Sequence, residues 1–309
     1  MTIDAALPSL GAQPSAVRAL LRRAAAAPAA PWLHTEIARR MAQRLAVIKA
    51  EPSRVLDWWS ALGGGAPALR QRYPAARIDA VEPTAALRAH SARALRAPWW
   101  TLARWRGPRP LAWLDHEAPR DARVQLVWAN MMLHWSADPG PCFASWHAAL
   151  AVDGFVMFSC FGPDTLRELH ALYRRAGWSP PGHAFIDMHD LGDALLASGF
   201  GDPVMDMETL TLTWADADAL LAELRALGGN AAAARFAGWR TPGWQARLRQ
   251  QLTEALAGPD GRLRLSFEIV YGHAFKPLPR TPVAAETKVS VETLRSMARS
   301  RGKTATPSR

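Results

Sequence analysis

Two acids and three glycines near the start of the chain carry the first sign of chemistry. Arg54-Val-Leu-Asp57 is a short apolar run ending in an acid, followed by Trp58-Trp59-Ser-Ala-Leu and then Gly63-Gly64-Gly65. Glu82 closes the next apolar run, Ala76–Glu82. A strand, a glycine turn, a helix and a second strand ending in an acid form the plan of a nucleotide-binding βαβ unit, in which the acid takes ribose hydroxyls. The glycines stand late. The usual turn has a glycine directly after the strand, where Trp58 and Trp59 stand here. Glycine is used there because a side chain would occupy the ligand's space. Two arrangements satisfy the sequence. Either the indoles fill that space, or the turn is two residues longer, Gly63–Gly65 approach the ligand, and the indoles point into the sheet.

Other chemistry is thinly represented. Cys142 and Cys160 have no metal-ligand spacing, and two thiols in 309 residues suggest a reducing compartment without a disulfide framework. His183 and His189 are spaced for no metal site, and no Ser/His/Asp or Cys/His signature is present. A G-x-G-x-x-G run is also missing, which argues against a dehydrogenase.

The elements that must position these residues follow from periodicity. Pro14 to Ala27 reads as a first helix. Trp32–Lys49 reads as a second, with Leu33, Ile37, Met41, Leu45 and Ile48 on one stripe. Apolar runs at 55–58, 77–82, 110–115, 124–129 and 154–161 then alternate with helical patterns at 65–73, 83–95 and 139–150. That alternation predicts a parallel sheet covered on both faces. Thr165-x-x-Glu168 predicts a capping box opening a helix through Arg175. Further helices are expected at 189–198, 216–227 and 244–256, and long strands at 204–214 and 262–275. In the last, Leu263, Leu265, Phe267, Ile269, Tyr271, His273 and Phe275 alternate with Arg264, Ser266 and Glu268.

Net charge is +10, of which the tail 281–309 supplies +4 through six basic and two acidic residues. A solvated basic surface or an acidic partner fits this balance; nucleic acid fits less well, because the arginines are scattered without an aromatic platform. The start lacks a basic segment followed by an apolar run, and no apolar stretch of about 18 residues occurs, so a soluble cytoplasmic protein without a membrane span is expected.

Several segments resemble one family. Trp128-Ala-Asn-Met-Met-Leu-His-Trp135 resembles the W-S-N-x-x-x-x-W segment of the malonyl-acyl-carrier-protein O-methyltransferases of biotin synthesis, the BioC family. Asp153-Gly-Phe-Val-Met-Phe-Ser through Leu169 resembles that family's G-G-x-x-x-F-T-T…L-P-E-L strand and helix. Leu220-Ala-Glu-Leu-Arg-Ala-Leu-Gly-Gly-Asn is similar to its R-x-L-K-x-I-G-A segment, and Gly261-Arg262 to Tyr271-Gly272 to its last strand. The likeness spans about 30–276.

The resemblance implies an α/β, Rossmann-like class I methyltransferase. Its sheet would have seven mostly parallel strands with an antiparallel last strand, helices on both faces and extra lid helices. The N-terminus 1–30 would be disordered or loosely helical. The catalytic domain would span 31–276, with a lid helix at 31–51 and helical additions at 163–200 and 215–258. A disordered basic tail would follow at 277–309. S-adenosylmethionine would lie along the carboxyl ends of the first strands, near Asp57, Gly63, Gly64, Gly65, Glu82, Asp115 and Asn130. The family's D-x-G-C-G-x-G turn is the point of departure. Acyl carrier protein, which is acidic, would be the substrate carrier, and a monomer is expected. His134, Trp135, Arg167 and Tyr271 are the implied acceptor residues, although the alternation by itself points to plain core packing for Tyr271, and a solvated helix face also accounts for Arg167. Methylating a malonyl carboxylate is a displacement at a sulfonium methyl. The nucleophile is already ionised, with a pKa of roughly 4, so no general base is needed. Alignment and desolvation would do the work. No catalytic residue is therefore assigned.

Overall fold

The computed structural model describes residues 12–95, 109–136 and 138–278. Strands β1 (Arg54–Trp58), β2 (Arg77–Glu82), β3 (Ala112–Leu114), β4 (Val124–Ala129), β5 (Leu150–Phe161), β6 (Gly201–Trp214) and β7 (Leu263–Phe275) form one sheet in the order β3-β2-β1-β4-β5-β7-β6. The first five pair in parallel, and β7 lies antiparallel between β5 and β6. The order reverses between β1 and β4, so the crevice that open α/β sheets use for ligands lies at the carboxyl ends of these two strands.

The helices are α1 (Pro14–Ala26), α2 (Trp32–Arg44), α3 (Ser60–Gly63), α4 (Ala66–Arg72), α5 (Ala85–Ala94), α6 (Pro139–Ala149), α7 (Arg167–Arg175), α8 (Met188–Ala197), α9 (Ala217–Ala226) and α10 (Pro242–Leu256). Two apolar clusters cover the two sheet faces. Alternation along β1 sends Leu56 and Trp58 into one, with Trp146 and Phe158, and Val55 into the other, with Trp128 and Phe155. The predicted stripe on α2 is buried against the second cluster through Leu33, Ile37, Met41, Leu45 and Ile48. Full burial of an aliphatic side chain contributes about 1.5–3 kcal/mol, which fixes this helix to the sheet. Its α-helical part stops at Arg44, and a tight turn at Leu45–Val47 ends two residues short of the predicted end at Lys49.

The predicted capping box does not form. Helix α7 begins at Arg167, after Leu166 in the left-handed region (φ 58°). The Thr165 hydroxyl instead donates to the Glu268 carbonyl at 3.0 Å and accepts the Glu268 amide at 3.1 Å. Glu168 accepts the Ser266 amide and hydroxyl, at 3.1 and 2.6 Å. Pairing to β7 outcompetes the local cap, because it also satisfies polar groups on the strand's second face. Ser266 and Glu268, expected on the open face, are buried. The expectations for 1–11, for the Pro/Trp/Arg-rich stretch 96–108 and for the tail beyond 278 lie outside the described residues.

Candidate functional site

The turn after β1 decides what the strand ends can hold. Trp58, the last residue of β1, is buried and packs its indole edge-to-face on Trp146 of α6, with ring centroids 6.1 Å apart. It belongs to the core under the sheet. Trp59 follows with φ 54° and ψ 46°, the left-handed conformation that glycine adopts freely. Its amide donates to the Val81 carbonyl at 2.6 Å, and its side chain is buried in the apolar cluster with Leu62, Val81 and Leu87.

Gly63, Gly64 and Gly65 serve contacts within the protein. A Cβ on Gly63 would sit 2.8 Å from the Asn130 carbonyl oxygen, and one on Gly64 would sit 2.8 Å from the Ala30 Cβ. A Cβ on Gly65 would clash with the Trp128 indole nitrogen. The longer-turn arrangement, with these glycines approaching a ligand, is therefore not what forms. They let α3 and α4 press against β4 and the start of α2.

The two strand-end acids are present and enclosed. Glu82 is fully buried, and its Oε1 accepts the Ala61 amide at 2.8 Å and the Ser91 hydroxyl at 2.5 Å. Asp57 accepts the Ser60 hydroxyl at 2.5 Å. Asp57 Oδ1 and Glu82 Oε2 have no partner among the described residues. Burial lifts each carboxyl to about 7, well above the ordinary range. Asn130 is committed to the protein. Its Nδ2 donates to the His34 and Gly63 carbonyls at 2.8 and 2.5 Å, and its Oδ1 accepts the Ser159 hydroxyl at 2.8 Å. The His34 ring nitrogen Nδ1 meets the Leu62 carbonyl at 2.9 Å, so α2 is latched to the turn twice. Burial pushes His34 down to about 4, and the ring is neutral.

Asp115 directly follows Leu114, the register partner of Glu82. It opens a short helical turn after β3, and its carboxylate accepts its neighbour's amide, His116 N–H, at 2.7 Å.

Beside the strand ends lies a cavity of about 660 Å³. Its floor comes from Phe161, Leu169 and Phe267, and Trp135 and His183 stand at one side. Ser15, Ala16 and Ala19 of α1 lie opposite, and Gly228-Gly229-Asn230 close it after α9. Three arginines line it, Arg23, Arg225 and Arg235, and among the described residues no carboxylate does. Arg23 donates to the Gly228 carbonyl at 2.7 Å, and Arg235 donates to the Gln13 side chain and the Ala232 carbonyl. Among the described residues none of the three pairs with an acid. A second cavity, about 340 Å³, lies between α1, α9 and the start of α3 at Ala61 and Leu62, and shares Arg23 and Arg225.

Of the four implied acceptor residues, Trp135 lines the large cavity. His134 lies just behind the wall, buried, its ring 4.6 Å from Phe161 and 5.0 Å from Trp135. Burial holds its pKa well below the ordinary histidine value. Arg167 is not among the cavity's lining residues: it is exposed and faces Asp164 and Glu168 at 3.7 and 3.4 Å, because α7 turns its other face inward. Nor is Tyr271 among the lining residues: its hydroxyl donates to Glu208 at 2.5 Å, and Arg44 lies 3.7 Å over its ring. The arginines and Phe267 escaped sequence reading, since an arginine among 33 carries no periodic mark; the Gly228-Gly229 stop after α9 was the one usable signal.

The strand order and the crevice beside β1 and β4 are those of the Rossmann-like class I methyltransferases. The chain is similar in fold to the YcgJ protein of Bacillus subtilis, with a TM-score of 0.52 at 11% identity over 77% of this chain and 98% of that one. It is similar too to the BH2331 protein of Bacillus halodurans, with a TM-score of 0.50 at 14% identity over 78% of this chain and 99% of that one. Sequence comparison is more specific. The malonyl-[acyl-carrier protein] O-methyltransferase of Laribacter hongkongensis is 38% identical over 271 residues, 86% of this chain and 90% of that protein. That of Gallionella capsiferriformans is 38% identical over 267 residues, 85% and 90% of the two chains. No family model matches. The chain belongs to the malonyl-acyl-carrier-protein O-methyltransferase family.

The family implies S-adenosylmethionine, and the strand ends answer in two parts. The donor set suits a ribose: Glu82 and Asp57 each keep one carboxylate oxygen without a partner. Around them the packing is close: both acids are buried, the glycines press on protein atoms, and Trp59 stands where the family's first turn has glycine, while the cavity of about 340 Å³ reaches this turn at Ala61 and Leu62.

Proposed function

We propose that this chain is a carboxyl O-methyltransferase acting on malonyl-acyl carrier protein, the substrate named for its relatives. The observation that carries this reading is the large cavity, lined by apolar residues and three arginines and, among the described residues, by no carboxylate. Such a lining suits an anionic group at the end of an apolar arm. Phe161, Leu169 and Phe267 exclude water around the acyl arm. The arginines attract the carboxylate and the acidic carrier. Trp135 holds the wall nearest the end of β4. No side chain need remove a proton, since a malonyl carboxylate is already ionised at neutral pH.

The test is mass spectrometry of malonyl-acyl carrier protein incubated with the full chain and S-adenosylmethionine. A gain of one methyl group, lost again on mild ester hydrolysis, is the expected result. Trp59 favours a second reading, a family member that receives the acyl carrier without methylating it. Carrier binding with no mass gain would select it.

A further inference from the structure

The segment from the end of α9 into α10 carries charge of one sign. Between Glu223 and Glu254 stand five arginines and no acid. Arg225 and Arg235 line the large cavity, and Arg249 pairs with Asp218 at 2.7 Å. Arg240 and Arg247 pair with no acid among the described residues. They lie over aromatic rings instead. The Arg240 guanidinium is 3.9 Å from the Phe236 ring and 4.1 Å from that of Trp244, and Arg247 is 6.0 Å from that of Trp178. Such stacking holds an arginine in place and leaves its charge without a counterion.

The rings form a path from the cavity to the surface. Tyr173 lines the cavity and meets Trp178 with centroids 5.2 Å apart, and Trp178 meets Trp244 at 5.2 Å. Next to Arg240, Trp239 is 98% exposed, so its indole contributes nothing to the core. The turn that presents it is shaped. A Cβ on Gly238 would lie 2.9 Å from the Phe236 ring, so glycine is what lets that ring close on the turn. Tryptophan and arginine are the residues that anchor protein interfaces, and an exposed aromatic strip without a folding role marks one.

We propose that the strip 236–244, with Trp178 and Arg247 beside it, is the surface on which the acidic acyl carrier protein docks. The identity of the partner rests on the proposed function. A substrate tethered to its carrier by an arm requires the carrier to sit next to the cavity that takes the arm. The strip meets that cavity at Tyr173 and Arg235. Arg240 and Arg247 face the acidic side chains of the carrier, and Trp239 supplies the apolar contact.

Fluorescence anisotropy of labelled malonyl-acyl carrier protein titrated with the full chain reads binding without turnover. The variants are Trp239→Ala and Arg240→Glu. Arg120→Glu is the control for net charge, exposed after β3 at the edge of the sheet far from β7. Circular dichroism checks folding. Each strip variant is expected to raise Kd by about tenfold or more at low salt, while the control binds as wild type does. Added salt narrows the loss in Arg240→Glu and leaves that in Trp239→Ala in place. Folded strip variants that bind as wild type does overturn the proposal, as does an equal loss in Arg120→Glu or a wild type that binds no carrier. A wild-type dimer that Trp239→Ala turns into a monomer assigns the strip to a second copy of this chain and overturns it too. The ester assay keeps the two claims apart. Ester formed by wild type and strip variants with the same KM for the carrier sinks the docking surface and sustains the proposed function. Carrier binding lost in the strip variants, beside a wild type that forms no ester, does the reverse.

Discussion

Trp135 lies so close to Gly228 that any Cβ on this glycine would enter the indole ring, and the Gly228 φ of 130° excludes most other residues as well. The end of α9 and the loop after β4 are fitted to each other through this one contact. Gly228→Ala is expected to destabilise the fold by about 2–4 kcal/mol, combining backbone strain with overpacking. Urea unfolding measures it, and a cost below about 0.5 kcal/mol would contradict the geometry.

Glu82 and Asp57 make stability depend on pH in a definite direction. Their folded values, each about 7, exceed those of an unfolded chain, so the folded state binds more protons across the interval between. Their contribution is therefore fully present below about pH 4 and is lost as pH rises toward 7. Glu82→Gln removes its share. The variant should match wild type near pH 4 and exceed it at pH 8, by on the order of 1–3 kcal/mol. Chemical denaturation at both values checks this, and an equal difference at the two would refute it.

Asn130 holds the Gly63 and His34 carbonyls and the Ser159 hydroxyl together. Asn130→Ala leaves these buried groups unmet, at a cost of about 3 kcal/mol. Amide exchange should speed up first in α2 and α3, which this side chain ties to β4. Uniform acceleration across the sheet would argue against a local latch.

Arg225 and Arg235 line the cavity. If they attract an acidic carrier, reversing either charge to Glu should raise KM for the malonyl carrier by about tenfold or more at low salt. The effect should shrink as ionic strength rises. A small malonyl thioester without the carrier distinguishes a docking role, as its KM should move far less.

The sheet was readable because every strand from β1 to β5 is a compact apolar run, and β7 alternates so strictly that its phase survives inspection. The acids at 57 and 82 were readable because they end such runs. What failed was residue-level geometry set by distant partners. Thr165 and Glu168 have the spacing of a cap, yet β7 claims both. Tyr271 shares the apolar phase of β7 but is drawn to Glu208 on β6. Gly63–Gly65 resemble a ligand turn because glycine serves close approach of any kind, and only coordinates show that the neighbour is protein. The arginines of the cavity converge from α1, α9 and the segment after it, a meeting that spacing cannot reveal.

The side-chain bonds from Thr165 and Glu168 to β7 have a mechanical consequence. They suture the cavity floor to the sheet, so that α7 and the centre of β7 move as one plate. The opposite wall is joined differently. Helix α1 is fastened to the strip after α9 by Arg23 on the Gly228 carbonyl and by the Gln13 amide on the Ala231 carbonyl at 2.7 Å. Helix α1 also packs on α3 and α5, so this wall is tied to the framework by helix packing, where the floor is tied by side-chain bonds to a strand.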